Sequence, residues 1–158
     1  MIINFIQTYI YFIIPISVAV CIQLCKLIID RFDGRKQINW TQLFTAGGFP
    51  SVHSGLSASL VTIIALEAGV DSPVFAVALC FALLFWYDAA NIRFQAGQHA
   101  QYLNHIYRLV RQLKKIGVDH HELHHLKERL GHTVTEVIGG IVFAIILTYL
   151  LHFLLYFM

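Results

Sequence analysis

The chain has 158 residues, 58% of them hydrophobic and only 13% charged, and its formal net charge is +2. An ordinary soluble domain carries roughly 45–50% apolar and about 25% charged residues, so the composition argues against a water-soluble globule and for a single membrane-embedded domain, 1–158. No nucleic-acid partner is expected. The three cysteines, Cys21, Cys25 and Cys80, lie in apolar stretches and form neither an even disulfide framework nor a metal-type pair.

Four apolar stretches follow one another, each near the ~20 residues that cross a ~30 Å hydrocarbon core as a helix. The first, about Ile3–Ile28, is preceded by no basic region or small-residue cleavage site and reads as a retained span rather than a signal peptide. Gln23, Lys26 and Asp30 share one face at its end. An ionisable group at that depth is costly and usually faces a protein interior, although the Lys26 ammonium could also snorkel to the headgroups.

A polar segment, Asp30–Pro50, leads into Gly-Gly-Phe-Pro-Ser-Val-His-Ser-Gly at Gly47–Gly55. Pro50 and Ser51 are helix-start residues. The helix they open points unpaired N–H groups outward, which is an anion site, and His53 stands in its first turn. An N-capped helix with an interfacial histidine would produce the same pattern. The second stretch, about Val52–Val70, and the third, about Pro73–Ala90, are joined by a Gly-Val-Asp-Ser-Pro turn and read as a helical hairpin. Asp88, near the end of the third among apolar neighbours, is a candidate for function or for an ion pair.

In the second polar segment, Asn91–Gly131, residues Arg93, Gly97, Ala100 and Asn104 fall on one helical stripe. A further helix is expected from Asp119, with Glu122 completing a capping box, to a stop at Gly131. It contains His121-Glu122-Leu123-His124-His125, a literal H-E-x-x-H, which on a helix could place two histidines on one zinc with the glutamate as base. A membrane zinc peptidase is therefore a rival reading, set against a short amphipathic helix with a solvated histidine face. The fourth stretch, about Val137–Phe157, opens on Gly131-His132-Thr133-Val134-Thr135-Glu136. His132 and Glu136 are four apart and share a face, so the carboxylate could fix the imidazole tautomer and leave its other nitrogen to attack or accept a proton; Thr133 and Glu136 also form a capping box.

All eleven Lys and Arg lie in the two polar segments or, for Lys26, at the end of the first span. The positive-inside rule then places both segments in the cytoplasm. The expected fold is all-α: four spans plus cytoplasmic helices between the third and fourth.

Four motifs, Gly-Gly-x-Pro-Ser-x-His-Ser, Tyr-Asp-Ala-x-x-x-Arg, Ala-Gly-x-x-Ala-x-x-Leu-Asn and Leu-Gly-His-Thr-x-x-Glu-Val, occur in this order between Gly47 and Val137. In them the sequence resembles the divergent branch of the type-2 phosphatidic acid phosphatase superfamily, the acid phosphatase/vanadium haloperoxidase-related proteins. The resemblance implies a metal-independent lipid phosphatase, without a cofactor, acting through a phosphohistidine. It makes His132 the nucleophile, Glu136 its orienting acid with Asp88 as the alternative, and His53 the general acid. Phosphate oxygens would be held by Lys26, Ser51, the backbone N–H of Val52 and Arg93, with Lys127 nearby. Val52 stands where the superfamily has glycine, Glu136 where it has aspartate, and no Arg-Pro follows Lys26. The implied substrate is a lipid phosphate or prenyl diphosphate among membrane lipids at the cytoplasmic face of a bacterial inner membrane, and a homodimer is compatible with the chain's small size. A non-catalytic phospholipid-binding protein is the third alternative.

Overall fold

The computed structural model describes residues 7–32, 48–112, 125–128 and 130–157, and every regular element among them is helical. Helix α1 is Ile10–Phe32, α2 is Val52–Ala68 and α3 is Pro73–Tyr87; a π-helical turn at Asp88–Ile92 joins α3 to α4, Arg93–Gln112; α5 is Val134–Phe157.

Helix α1 is apolar all round because its two faces meet two apolar media. One stripe at spacing four, Ile10, Ile14, Val18 and Ile22, is 0–2% exposed and forms the core. The opposite stripe, Phe12, Ile16, Val20, Leu24 and Ile28, is more than half exposed, as lipid-facing side chains are. Lys26 continues the inward stripe and is 6% exposed, so the structure turns it into the protein and not out to the headgroups.

Helix α2 lies at the centre, packed on α1, α3 and α5. Lipid tails are as apolar as leucine, so helices in a membrane are held by close packing and polar contacts. Small residues provide the first: a Cβ added to Gly55 would stand 3.3 Å from the Gly140 carbonyl, and one on Gly140 would strike the Ser51 carbonyl. Polar contacts recur along the α2–α5 seam. The Ser51 amide donates to the Glu136 carbonyl at 3.0 Å. Ser59 and Thr148, both 0% exposed, pair at 2.6 Å. At the far end the Glu67 carboxylate accepts from His152 Nε2 at 2.7 Å and from the Tyr156 hydroxyl at 2.8 Å.

Among the described residues three helical stretches are long and apolar enough to cross a membrane: Ile10–Ile29, one within Pro73–Val110, and Val134–Phe157. Helix α2, at 17 residues, is shorter. The third apolar stretch does not stop at Ala90 as expected. No proline or glycine interrupts the chain between Val74 and Ala96, and the helix runs through the π turn into α4.

The helix expected to reach Gly131 is overturned where it is described: residues 125–128 and 130 are not helical. The Asn104 side chain supplies the reason. Its oxygen accepts from the Leu126 amide at 3.1 Å and its nitrogen donates to the Leu126 carbonyl at 2.9 Å, satisfying both backbone groups outside a helix. Asp119, His121, Glu122 and His124, with the start of that helix and most of the H-E-x-x-H motif, lie outside the described residues.

The α2–α5 contact gives a test. Gly140→Val is expected to destabilise the protein by about 1–3 kcal/mol through overpacking, more than Ser59→Ala, whose lost interhelical hydrogen bond is worth roughly 0.6 kcal/mol. Unfolding in mixed detergent micelles measures both.

Candidate active site

His132 is fixed before its side chain is considered. Within the π turn the Arg93 amide reaches back to the Asp88 carbonyl, five residues away. The Ala89 carbonyl, which an α-helix would assign to Arg93, accepts instead from the His132 amide at 3.0 Å. Gly131, with φ +79°, lets the chain come this close: a Cβ there would collide with the Arg93–Phe94 peptide.

The side chain is then oriented by the start of α5. The Glu136 amide donates to Thr133 Oγ1 at 3.3 Å, and Glu136 Oε2 accepts from the Thr133 amide at 3.1 Å, a reciprocal capping box. The same Oε2 lies 3.1 Å from His132 Nδ1. An ionised carboxylate only accepts, so Nδ1 carries the proton and Nε2 keeps its lone pair. His132 is 5% exposed, and its buried Nε2 has no hydrogen-bond partner among the described residues. A buried nitrogen left in this state costs about 1–3 kcal/mol.

Facing it is the first turn of α2. Ser51 caps that helix, its Oγ accepting from the Ser54 amide at 3.3 Å and pairing with Ser54 Oγ at 2.9 Å. The exposed His53 ring stands with its centroid 6.3 Å from that of His132, tilted by 58°. His53, Ser54, Phe85, Asp88, Ala89, Arg93, Gly131 and His132 line one cavity. At its edge Arg93 Nε pairs with Asp88 Oδ2 at 2.6 Å, leaving the terminal nitrogens of the guanidinium fork for an anion.

Of the residues singled out in the sequence, His53, His132, Asp88 and Arg93 thus meet around one space, with Glu136 behind His132. Asp88 is the partner of Arg93, and it is Glu136 that touches the imidazole. Ser51 is 0% exposed and serves as a cap; Val52 packs against the core of α1, α2 and α5. Neither they nor the exposed Lys127 line the cavity. Lys26 packs against Gly48, where an added Cβ would be 2.7 Å from Lys26 Cε, and its charge is felt at both His53 and His132. Ser54 and Phe85 were not singled out. Ser54 follows His53 in the first motif, whereas nothing in the sequence distinguishes Phe85 from its lipid-facing neighbours.

The model of the Divergent PAP2 family matches residues 8–147. The chain belongs to that family. It is also 36% identical over 124 residues to the uncharacterized membrane protein YuiD of Bacillus subtilis (strain 168), an alignment covering 75% of this chain and 78% of that protein. No solved structure matches. Membership in the Divergent PAP2 family makes this a membrane protein related to phosphatases.

Burial pushes the His132 pKa below its ordinary 6.5, and the hydrogen bond and charge of Glu136 oppose that shift. The folded protein therefore holds His132 neutral at pH values where the unfolded imidazole takes up a proton. This contribution to stability is fully present above pH 6.5 and is lost as pH falls toward the folded pKa. Glu136→Gln removes the opposing charge and is expected to move the His132 midpoint still lower. NMR titration of ring-labelled histidine, assigned with His132→Gln, measures both midpoints.

Proposed function

We propose that this protein is a membrane lipid phosphatase in which His132 Nε2 attacks phosphorus and His53 protonates the departing oxygen. The observation that carries the proposal is the pair of imidazoles 6.3 Å apart, one with Nδ1 held by Glu136 and with Nε2 buried and without a partner among the described residues. A gap of that size accepts one phosphoryl group between an attacking nitrogen and a proton donor.

In the first step the Nε2–P bond forms and the bond from phosphorus to the ester oxygen breaks; that oxygen takes a proton from His53 and leaves as the lipid alcohol. On a diphosphate the leaving group is a lipid monophosphate. In the second step water attacks the phosphohistidine, His53 takes its proton, the P–N bond breaks and inorganic phosphate departs. Glu136 stabilises the imidazolium character of the phosphorylated ring. Arg93, the Lys26 charge and the N-terminus of α2 oppose the phosphate charge. Val52 in place of glycine does not obstruct this arrangement, because its side chain packs on the core.

A lipid fits better than a soluble ester. Phe85, 57% exposed on the lipid-facing side of α3, forms part of the cavity wall. An acyl or prenyl chain can pass it into the bilayer while the phosphate stays at headgroup depth. With α2 as a short fourth span and the basic residues inside, the cavity opens at the cytoplasmic face. That suits a phosphatidylglycerophosphate-like or prenyl diphosphate substrate in a bacterial inner membrane. The zinc-peptidase reading is less favoured: His125 is not helical and lies beside Asn104 and Leu126.

The test is phosphate release by purified protein from phosphatidic acid, phosphatidylglycerophosphate and prenyl diphosphates, with and without chelator and vanadate. Release should resist chelator and be blocked by vanadate. His132→Ala is expected to abolish it. His53→Ala should lower it by about 10²–10⁴-fold, with the smallest loss for the best leaving group. Activity of His132→Ala equal to wild type would remove the nucleophile assignment, and no release from any lipid would leave phospholipid binding without chemistry.

A further inference from the structure

We infer that Asn104, with Gly97, is a positioning residue for His132, acting through the stretch that delivers it, described at residues 125–128 and 130–131. The inference concerns the same site and rests on the reading of His132 as nucleophile, but its central test does not require turnover.

Asn104 is 5% exposed and uses its whole amide on that stretch. Its oxygen accepts from the Leu126 amide at 3.1 Å, and its nitrogen donates to the Leu126 carbonyl and to Glu128 Oε1, each at 2.9 Å. Two turns earlier on the same stripe, Gly97 gives the room. A Cβ there would stand 2.8 Å from the Glu128 carbonyl and 3.0 Å from that of Leu130. Next comes Gly131 on the Arg93–Phe94 peptide, and then the His132 amide on the Ala89 carbonyl. From Asn104 back to Ala89, the stretch is thus laid along α4 toward its start, and His132 is where it arrives. The Ala-Gly-x-x-Ala-x-x-Leu-Asn motif is the track: its glycine and its asparagine contribute contact distance and backbone pairing, and neither lines the cavity.

Asn104→Ala removes the pairing, and Gly97→Ala pushes the stretch off the helix by an independent route. Both are expected to raise the rate at which diethyl pyrocarbonate modifies His132 Nε2 severalfold, and to speed hydrogen exchange at the Leu126 amide. The His53 modification rate and the thermal midpoint should stay near wild type, which a general loosening would not allow. Gln101→Ala, on the exposed side of α4, serves as the control and should change none of these. On the panel lipid that wild type hydrolyses fastest, kcat should fall roughly 10²-fold, the cost of a misplacement of about 1 Å, while KM moves less than about twofold. Wild-type rates of His132 modification and Leu126 exchange in both variants would overturn the inference. So would loss of helical content in both, because the two residues would then be supports of the whole fold. If wild type releases no phosphate while the modification and exchange rates rise as expected, the phosphatase reading fails and the positioning role stands.

Discussion

The hydrogen bond from the His132 amide to the Ala89 carbonyl ties the approach to α5 to the end of α3, and it depends on one change of winding. Had α3 continued as an α-helix, that carbonyl would be engaged four residues on. The π turn moves the pairing to five and releases an acceptor that points at the start of α5. The same turn explains the Arg93–Asp88 pair. Residues five apart do not share a face of an α-helix, but across a π turn they are neighbours, and the carboxylate and guanidinium meet at the cavity edge. A single local irregularity therefore anchors His132 and sets the Arg93 guanidinium at the cavity edge.

The opposite wall needs equal rigidity, and the membrane restricts how it can be obtained. With no hydrophobic gain from driving helices together inside lipid, α2 and α5 rely on glycine contacts and on polar pairs spread over their length. Ser51–Glu136 lies at the site, Ser59–Thr148 in the middle and Glu67–His152 at the far end. Because the first tie joins the residue capping α2 to the residue that orients His132, His53 and His132 cannot drift apart without breaking the seam. Trp86 adds a lateral tie, donating to Ser57 Oγ at 2.8 Å, while Ser57 bonds back to the carbonyls of the first turn of α2.

Much of this was legible in the sequence, and the parts that were not share a cause. Apolar length marks α1, α3 and α5. The spacing of Arg93, Gly97, Ala100 and Asn104 marks α4, and the Thr133–Glu136 box marks the start of α5. Each of these is a local signal within one element. What escaped is what two distant elements decide between them. The helix expected from Asp119 to Gly131 gives way at Leu126 because Asn104 takes both backbone groups of that residue. Asp88 looks like a partner for His132 until the π turn places Arg93 beside it. Lys26 could equally face lipid headgroups until the i, i+4 stripe from Ile10 shows which side of α1 is inside. Phe85 has no sequence signal because lipid-facing and cavity-facing phenylalanines differ only in what lies next to them.

The glutamate at position 136, where aspartate is the superfamily's habit, follows from where the histidine stands. His132 precedes the residue that caps α5, so the acid orienting it is also the third residue of that helix. From there a side chain must reach back past a full turn to the cap's own amide, and glutamate and glutamine do this in capping boxes. Glu136 makes both contacts with one oxygen, 3.1 Å to the Thr133 amide and 3.1 Å to His132 Nδ1. The added methylene supplies the reach that lets one carboxylate start the helix and fix the tautomer together. Helix formation and imidazole orientation are in this way a single event: when α5 begins at Val134 with its box closed, the ring is already turned with Nδ1 on Glu136.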